Sequence, residues 1–247
     1  MKKAGLSILV LLSAVILVSL LVTRRSEQQV EKIRTHIDYN QYQCPPVEFV
    51  AGENQDLIQQ GKALFPNIEG LPKQFEDVFY LALYHYPELS GNFIEVVFKP
   101  IGTTLQVQPA AGFIFKRKST RGYRIFINSN LDFEGILFKD VPYNAQVGLV
   151  AHELAHILDY NYKNSFQIIG TGLKFLNKNS RSRYEKSIDL LTVYKGLGWQ
   201  LLDWAQYAMF DSKATDDYKA FKKSNYLDPE EITEIISNHP EICRLFR

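Results

Sequence analysis

The sequence predicts an α+β fold in which a small, mostly antiparallel sheet is followed by a long buried helix and several C-terminal helices. Apolar residues alternate with a period of two in much of residues 93–128, and they recur at helical spacing in much of the chain after residue 143. An almost unbroken apolar run at residues 4–22 adds one transmembrane helix in front of this fold. We therefore divide the chain of 247 residues into a membrane anchor (1–25), a stalk (26–46) and a single folded domain (47–247).

The apolar run is long enough to cross a bilayer, because nineteen residues at roughly 1.5 Å each cover its hydrocarbon thickness. We expect an uncleaved signal anchor and a single-pass membrane protein. A cleaved signal peptide is the alternative, but the run is long for one and no small-x-small cleavage site follows it. Basic residues flank both ends of the run, so they do not decide its orientation. The short N-terminal tail and the large C-terminal body favour a domain outside the cytoplasm.

The composition is that of an ordinary globular protein, with a formal net charge of +1. The roughly 200 residues after the anchor suffice for one hydrophobic core. No Lys and Arg cluster with interleaved aromatic residues stands out, so nucleic acid is not an expected partner. Cys44 and Cys243 lie near the two ends of the domain, and the sequence leaves open whether they form a disulfide or remain thiols. The oligomeric state is equally open.

The first elements of the domain are helical and then extended. Residues 47–70 have no strong period and read as short helix and loop, whereas residues 71–86 have Pro72 in a first turn and a broad apolar surface, which predict a helix. Strands are predicted at residues 93–98, 104–108, 112–116 and 123–128, with a hairpin turn at residues 119–122. The outer strand of such a sheet could pair with an extended peptide, because its edge offers unpaired backbone groups.

A long helix is predicted from an N-cap at Asn144 to about Tyr160, and it carries the pattern His152-Glu153-x-x-His156. Residues four apart project from one helical face, so the two imidazoles can hold one zinc ion. Glu153 can then take a proton from a metal-bound water. The surrounding residues are apolar, and buried polar groups are costly without partners, so a helix with incidental histidines is disfavoured.

A third protein ligand is predicted further along the chain, because a catalytic zinc site uses three and keeps one position for water. Residues 161–179 read as a loop, and the following stretch is helical with Glu185 and Asp189 one turn apart. Glu185 would be the ligand, and Asp189 would bond the outer nitrogen of a zinc-bound histidine. Two alternatives remain: both carboxylates lie on a solvent-exposed face, or Asp159 is the ligand, although its position beside His156 would strain tetrahedral geometry.

The rest of the chain is predicted to be helical. Residues 199–210 form a wide apolar surface that could cover the lower half of a cleft. Asp228 and Pro229 mark a strong helix start as N-cap and first residue, and that helix is predicted to end near Asn238.

Taken together, His152-Glu153-x-x-His156 and Glu185-x-x-x-Asp189 resemble the two motifs of the gluzincin group of zinc metallopeptidases. The resemblance implies a zincin-like domain over residues 47–247, Zn²⁺ as cofactor, His152, His156 and Glu185 as metal ligands, Glu153 as general base and Asp189 behind a ligand. It also implies a further Tyr or His that stabilises an oxyanion, for which Tyr184, Tyr194, Tyr207 and His239 are candidates. The chain departs from many relatives at Ile188, where they have a small residue.

The expected function is therefore that of a membrane-anchored zinc metallopeptidase acting on a peptide or protein substrate. The alternative from a different class is a non-catalytic zincin-like binding or assembly module of the cell envelope. A third alternative is a metal-dependent hydrolase acting on a non-peptide bond. The sequence names no substrate, because function depends on the shape of a site rather than on the fold.

Overall fold

The computed structural model describes residues 47–239. The predicted anchor, the predicted stalk and both cysteines lie outside these residues, so those predictions stay as they are. Within residues 47–239, no helix is both long enough and apolar enough to span a membrane. The described chain is a mixed α and β fold with one four-stranded sheet and several helices.

Two helices precede the longer strands of the sheet. Helix α1 covers Gln55–Leu64, within the stretch that the sequence left as short helix and loop. A 3-10 turn at Lys73–Phe75 leads into helix α2, Glu76–Tyr84, so the helix predicted at 71–86 is present but shorter. The apolar side chains of α2 are buried in the core, which fixes this helix against the long central helix described below.

The sheet contains strands β1 (Ile68–Glu69), β2 (Phe93–Lys99), β3 (Leu105–Pro109) and β4 (Gly122–Asn128) in the order β1-β2-β4-β3. Strand β2 pairs in parallel with both β1 and β4, and only the pairing of β3 with β4 is antiparallel. The prediction of a mostly antiparallel sheet was therefore wrong. Strand β4 lies between β2 and β3. The alternation of apolar residues along one strand does not reveal which strands are its neighbours or in which direction they run.

The strand predicted at residues 112–116 is absent from the described sheet. Gly112 has a positive φ of 76° and turns the chain, and the segment continues as 3-10 turns at Phe113–Phe115 and Lys118–Thr120. The predicted hairpin turn at 119–122 was consequently also wrong. The alternation arose from apolar side chains that face solvent, since Phe115 is 89% exposed.

Helix α3, Tyr143–Tyr162, runs through the centre of the domain with nearly all of its residues buried. It follows Pro142, and Asn144 lies inside the helix, so the N-cap prediction was wrong by a short distance. The Asn144 side chain instead accepts a hydrogen bond from the Phe49 backbone N–H at 2.8 Å and donates one to Asp203. These contacts tie the beginning of α3 to distant parts of the chain.

The residues after α3 were predicted to form a loop at 161–179, but they include helix α4, Ser165–Lys174. Asn164 and Gln167 form a reciprocal capping box at its beginning. Two glycines and several exposed apolar side chains hide this helix in the sequence, because the pattern lacks a clear buried stripe.

Helix α5, Lys178–Thr192, packs against α3, as the second motif requires. Gly196, with φ 82°, kinks the chain between α5 and helix α6, Gly198–Gln206. Helices α7 (Asp216–Asn225) and α8 (Pro229–Asn238) complete the described fold. The predicted start of the last helix is confirmed, since Asp228 caps it in a capping box with Glu231.

Helices α3 and α6 approach each other very closely at Gly148. A Cβ atom at this position would lie 2.1 Å from the backbone carbonyl oxygen of Gln200, so only glycine fits. This contact fixes the depth at which α3 lies in the core.

Candidate metal centre

The two histidines of helix α3 form one half of the site. His152 and His156 are buried, and their ring centroids lie 4.8 Å apart with the rings nearly perpendicular. Both Nε2 atoms face helix α5, as the four-residue spacing requires. The helix therefore presents two imidazole nitrogens to a common point.

Glu185 on helix α5 supplies the other half. Its Oε2 lies 3.2 Å from His152 Nε2 and 3.4 Å from His156 Nε2, and the three ligand atoms lie within 4.8 Å of one another. All three residues are buried. The predicted ligands are thus brought together by two helices that are separated in sequence, and this cluster could hold a metal ion.

The chemistry of the cluster fits a cation. Glu185 Oε2 is buried and accepts no hydrogen bond of acceptable geometry from the described residues, although two ring nitrogens lie close by. Such an atom costs free energy unless a cation or proton satisfies it. Two imidazole nitrogens and one carboxylate oxygen are also a ligand set found in catalytic zinc sites.

The outer nitrogen of His152 is held by Asp189. His152 Nδ1 lies 2.8 Å from Asp189 Oδ1, and the other oxygen of this carboxylate accepts a hydrogen bond from the Leu227 backbone N–H at 2.8 Å. Asp189 therefore fixes the orientation of the ring from behind, in the position that the sequence predicted.

The outer nitrogen of His156 is held by a different group. His156 Nδ1 lies 3.2 Å from the Tyr184 hydroxyl, which donates a hydrogen bond to Asp159 Oδ2 at 2.8 Å. Lys163 forms an ion pair with the same carboxylate and donates to Thr171. Asp159 thus reaches the site only through Tyr184, so the structure does not support it as a ligand. Tyr184 lies behind His156 and does not face the ligand cluster with its hydroxyl.

The charges of the cluster are mutually dependent. Burial lowers the pKa of His152, but its hydrogen bond with Asp189 and the carboxylate of Glu185 raise the pKa by more, to about 10. Burial raises the pKa of Glu185, whereas His156 and His152 lower the pKa by more, to well below its usual range. The metal-free cluster is therefore an imidazolium and carboxylate pair at neutral pH.

Glu153 lies beside the ligands and is attached to the sheet. Its Oε2 accepts a hydrogen bond from the Val107 backbone N–H of β3 at 2.7 Å. Strand β3 is an edge strand of the described sheet and packs on α3. The carboxylate next to the candidate ligand cluster is therefore positioned by an edge strand.

Tyr226, between α7 and α8, is a site residue that the sequence did not indicate. Its ring lies 5.5 Å from that of His152. Burial, followed by the carboxylates of Glu185, Glu153 and Asp189, raises the pKa of its hydroxyl well above the usual value. The hydroxyl consequently keeps its proton and remains a hydrogen-bond donor. No motif could have revealed it, because a lone Tyr in a connecting segment carries no spacing signal.

The other candidate oxyanion residues have different contacts. The Tyr207 hydroxyl donates to the Asp140 carbonyl oxygen at 2.8 Å. Tyr194 and His239 pack against each other with ring centroids 5.5 Å apart.

Comparison with known proteins finds no family model, no curated protein and no solved structure that matches this chain. The candidate centre therefore stands on its own geometry.

Proposed function

We propose that this protein is a zinc-dependent metallopeptidase anchored to a membrane by its N-terminal segment. The observation that carries the proposal is the convergence of His152, His156 and Glu185 on one buried point with Glu153 beside it. Zinc bound by these three side chains would supply a water of lowered pKa and would polarise a peptide carbonyl.

Each residue then has a distinct task. His152 and His156 would hold the metal, and their outer partners Asp189 and Tyr184 keep the rings oriented. Glu153 would accept the proton of the attacking water and pass it to the leaving amine. Tyr226 donates a hydrogen bond to the oxygen that becomes negative in the transition state, a role that its retained proton permits.

A peptide substrate is the natural partner for this arrangement. Strand β3 is an edge strand, and an extended peptide placed along such an edge can pair with its backbone. Because Glu153 bonds the Val107 N–H of the same strand, such a peptide would lie close to the general base.

The second candidate function is a non-catalytic zincin-like binding or assembly module of the cell envelope. One observation favours it: Glu153 is buried and already accepts a hydrogen bond from Val107, which is also what a purely structural carboxylate would do. In that case the bound metal would stabilise the fold without turnover.

Glu153→Gln separates the two functions, because glutamine can still accept the Val107 hydrogen bond but cannot take a proton. We expect the full-length variant in detergent to bind zinc like the parent and to lose hydrolysis of unfolded casein. Glu134→Gln, which alters an exposed glutamate, serves as the matched control and should keep both properties. Zinc binding with no hydrolysis by the parent protein would favour the structural module, and an active Glu153→Gln variant would exclude the proposed base.

A further inference from the structure

A surface on the side of helix α4 combines exposed apolar side chains with basic ones. Phe166, Ile169, Leu173 and Leu176 follow each other at helical spacing, and all four are exposed. Phe166 is 84% exposed and Leu176 is 83% exposed. An amphipathic helix normally buries its apolar face, whereas this apolar face of α4 is exposed to solvent.

A second segment joins α4 at its beginning. Ile114 and Phe115 of the 3-10 turn before β4 are also exposed, and the Ser165 hydroxyl bonds the Ile114 carbonyl oxygen at 3.4 Å. The buried Arg121 fixes this junction, since its guanidinium donates to the Lys163 carbonyl oxygen at 2.7 Å and to Ser165 at 3.1 Å. We name the six exposed residues of the two segments the apolar face: Ile114, Phe115, Phe166, Ile169, Leu173 and Leu176.

The two stretches of sequence that build the apolar face contain basic residues but no acidic ones. No Asp or Glu occurs in residues 96–131 or in residues 160–184, the two stretches that build the face. The same stretches contain eleven Lys and Arg residues, of which Arg121 and Lys163 are buried and Arg124 forms an ion pair with Glu95. Among them, Lys116, Arg117 and Lys118 directly follow Phe115 and are exposed, as are Lys178 and Arg183 beyond Leu176. The chain has a net charge of only +1, so this concentration is local.

We propose that the apolar face docks onto the surface of a bilayer that contains anionic lipids. Aromatic and aliphatic side chains of an interfacial helix enter the boundary between headgroups and acyl chains, while Lys and Arg at its border contact anionic headgroups. A second copy of the chain is a poor occupant, because two such basic borders would repel each other. Nucleic acid would use the charge but leave the exposed Leu and Ile side chains in water.

The docking does not depend on the metal centre, and it adds a contact to the one that the N-terminal anchor is predicted to make. With both contacts, the domain would lie on the membrane instead of extending away from it. The apolar face belongs to the folded domain, so it is separate from the apolar run at residues 4–22 that is predicted to span the membrane.

Photo-crosslinking of the full-length protein in vesicles tests the proposal. A benzophenone amino acid replaces Phe166 or Leu176, and in the matched control it replaces Leu131, which is apolar, 79% exposed and located in the connector before α3. The vesicles contain equal parts of phosphatidylcholine and phosphatidylglycerol, or phosphatidylcholine alone. Mass spectrometry then counts lipid adducts at each position.

We expect adducts at Phe166 and Leu176 to exceed those at Leu131 by roughly fivefold or more in the anionic vesicles. Combined Lys116→Glu, Arg117→Glu and Lys118→Glu should lower the yield by a similar factor, because each basic residue near the surface adds to the attraction. Equal yields at the three positions, yields that ignore the charge reversal, or adducts to protein or to a second copy would overturn the proposal.

Discussion

The Asp189 carboxylate lies 2.8 Å from the outer nitrogen of His152, on the side of the ring opposite to Glu185. The ring is thereby held between two carboxylates from successive turns of helix α5. One of them is positioned to share a metal ion with the imidazole, and the other orients the imidazole. We expect this relationship to influence the metal affinity, the protonation of His152 and the stability of the centre.

Asp189→Asn should weaken zinc binding by roughly 10- to 100-fold. The two oxygens of Asp189 accept hydrogen bonds from His152 and from the Leu227 N–H, whereas asparagine has only one oxygen and would lose one of these bonds. Leaving one buried donor unpaired should also lower the free energy of unfolding by about 1–3 kcal/mol. Competition with a chromophoric chelator measures the first effect and urea denaturation measures the second. Asp132→Asn, at an exposed carboxylate, should change neither, and parental zinc affinity in Asp189→Asn would contradict the assigned role.

Tyr226→Phe should lower kcat by roughly 10²- to 10³-fold with little change in KM, because it removes one hydrogen-bond donor that acts in the transition state. Tyr207→Phe is the control, since that hydroxyl bonds the Asp140 carbonyl oxygen instead. Steady-state hydrolysis of a fluorogenic peptide measures both constants. An unchanged kcat in Tyr226→Phe would remove this residue from the mechanism.

Zinc binding at neutral pH should release a proton. Burial lowers the pKa of His152, but Asp189 and Glu185 raise it by more, to about 10, so the metal-free imidazole is protonated at pH 7. Because zinc takes the neutral imidazole, its apparent affinity should increase with pH by up to about tenfold per unit until pH 10 is approached. Calorimetry in buffers of different ionisation enthalpy counts the proton, and binding without proton release would contradict the prediction.

The same pKa makes the stability of the metal-free fold depend on pH in a defined direction. The pKa of His152 in the folded state, about 10, exceeds the ordinary value of 6.5. Its contribution is therefore complete below pH 6.5, decreases between pH 6.5 and 10, and is lost above pH 10. Glu185 has a lowered pKa, so its contribution is present above its ordinary value of 4.5 and is lost at more acidic pH.

Gly148→Ala should destabilise the protein, because the added Cβ would lie 2.1 Å from the Gln200 carbonyl oxygen and would force α3 and α6 apart. Overpacking of this kind costs about 1–3 kcal/mol. Gly170→Ala is a matched control in helix α4, where nothing lies within 4 Å of the new Cβ, and it should stabilise by about 0.4–1 kcal/mol. Urea denaturation measures both, and equal stability of the two variants would contradict the close approach.

The ligand set was accessible from the sequence because helical spacing is local. Four-residue intervals place His152 beside His156 and Glu185 beside Asp189 without any knowledge of the rest of the fold. The antiparallel sheet was predicted wrongly because pairing joins residues far apart: Phe93 aligns with Gly122, and no local pattern encodes that register. Tyr226 and the Tyr184 contact to His156 also depend on distant packing.

Helix α4 illustrates a different limit. Its apolar residues recur at helical spacing, but Gly170 and Gly172 lie among them, and glycine is a poor helix former that usually marks a loop. The segment was therefore predicted to be a loop, although ten of its residues form a helix.

Asp189 has one further consequence. Its second oxygen holds the backbone of Leu227, immediately before the cap of helix α8, so a single side chain joins the ion-binding cluster to the last described helix. Loss of the carboxylate in Asp189→Ala would remove this link, and amide hydrogens near Leu227 would then exchange faster although they lie outside both motifs. Hydrogen exchange near the last described helix would thus report on a side chain that lies behind the ligand cluster.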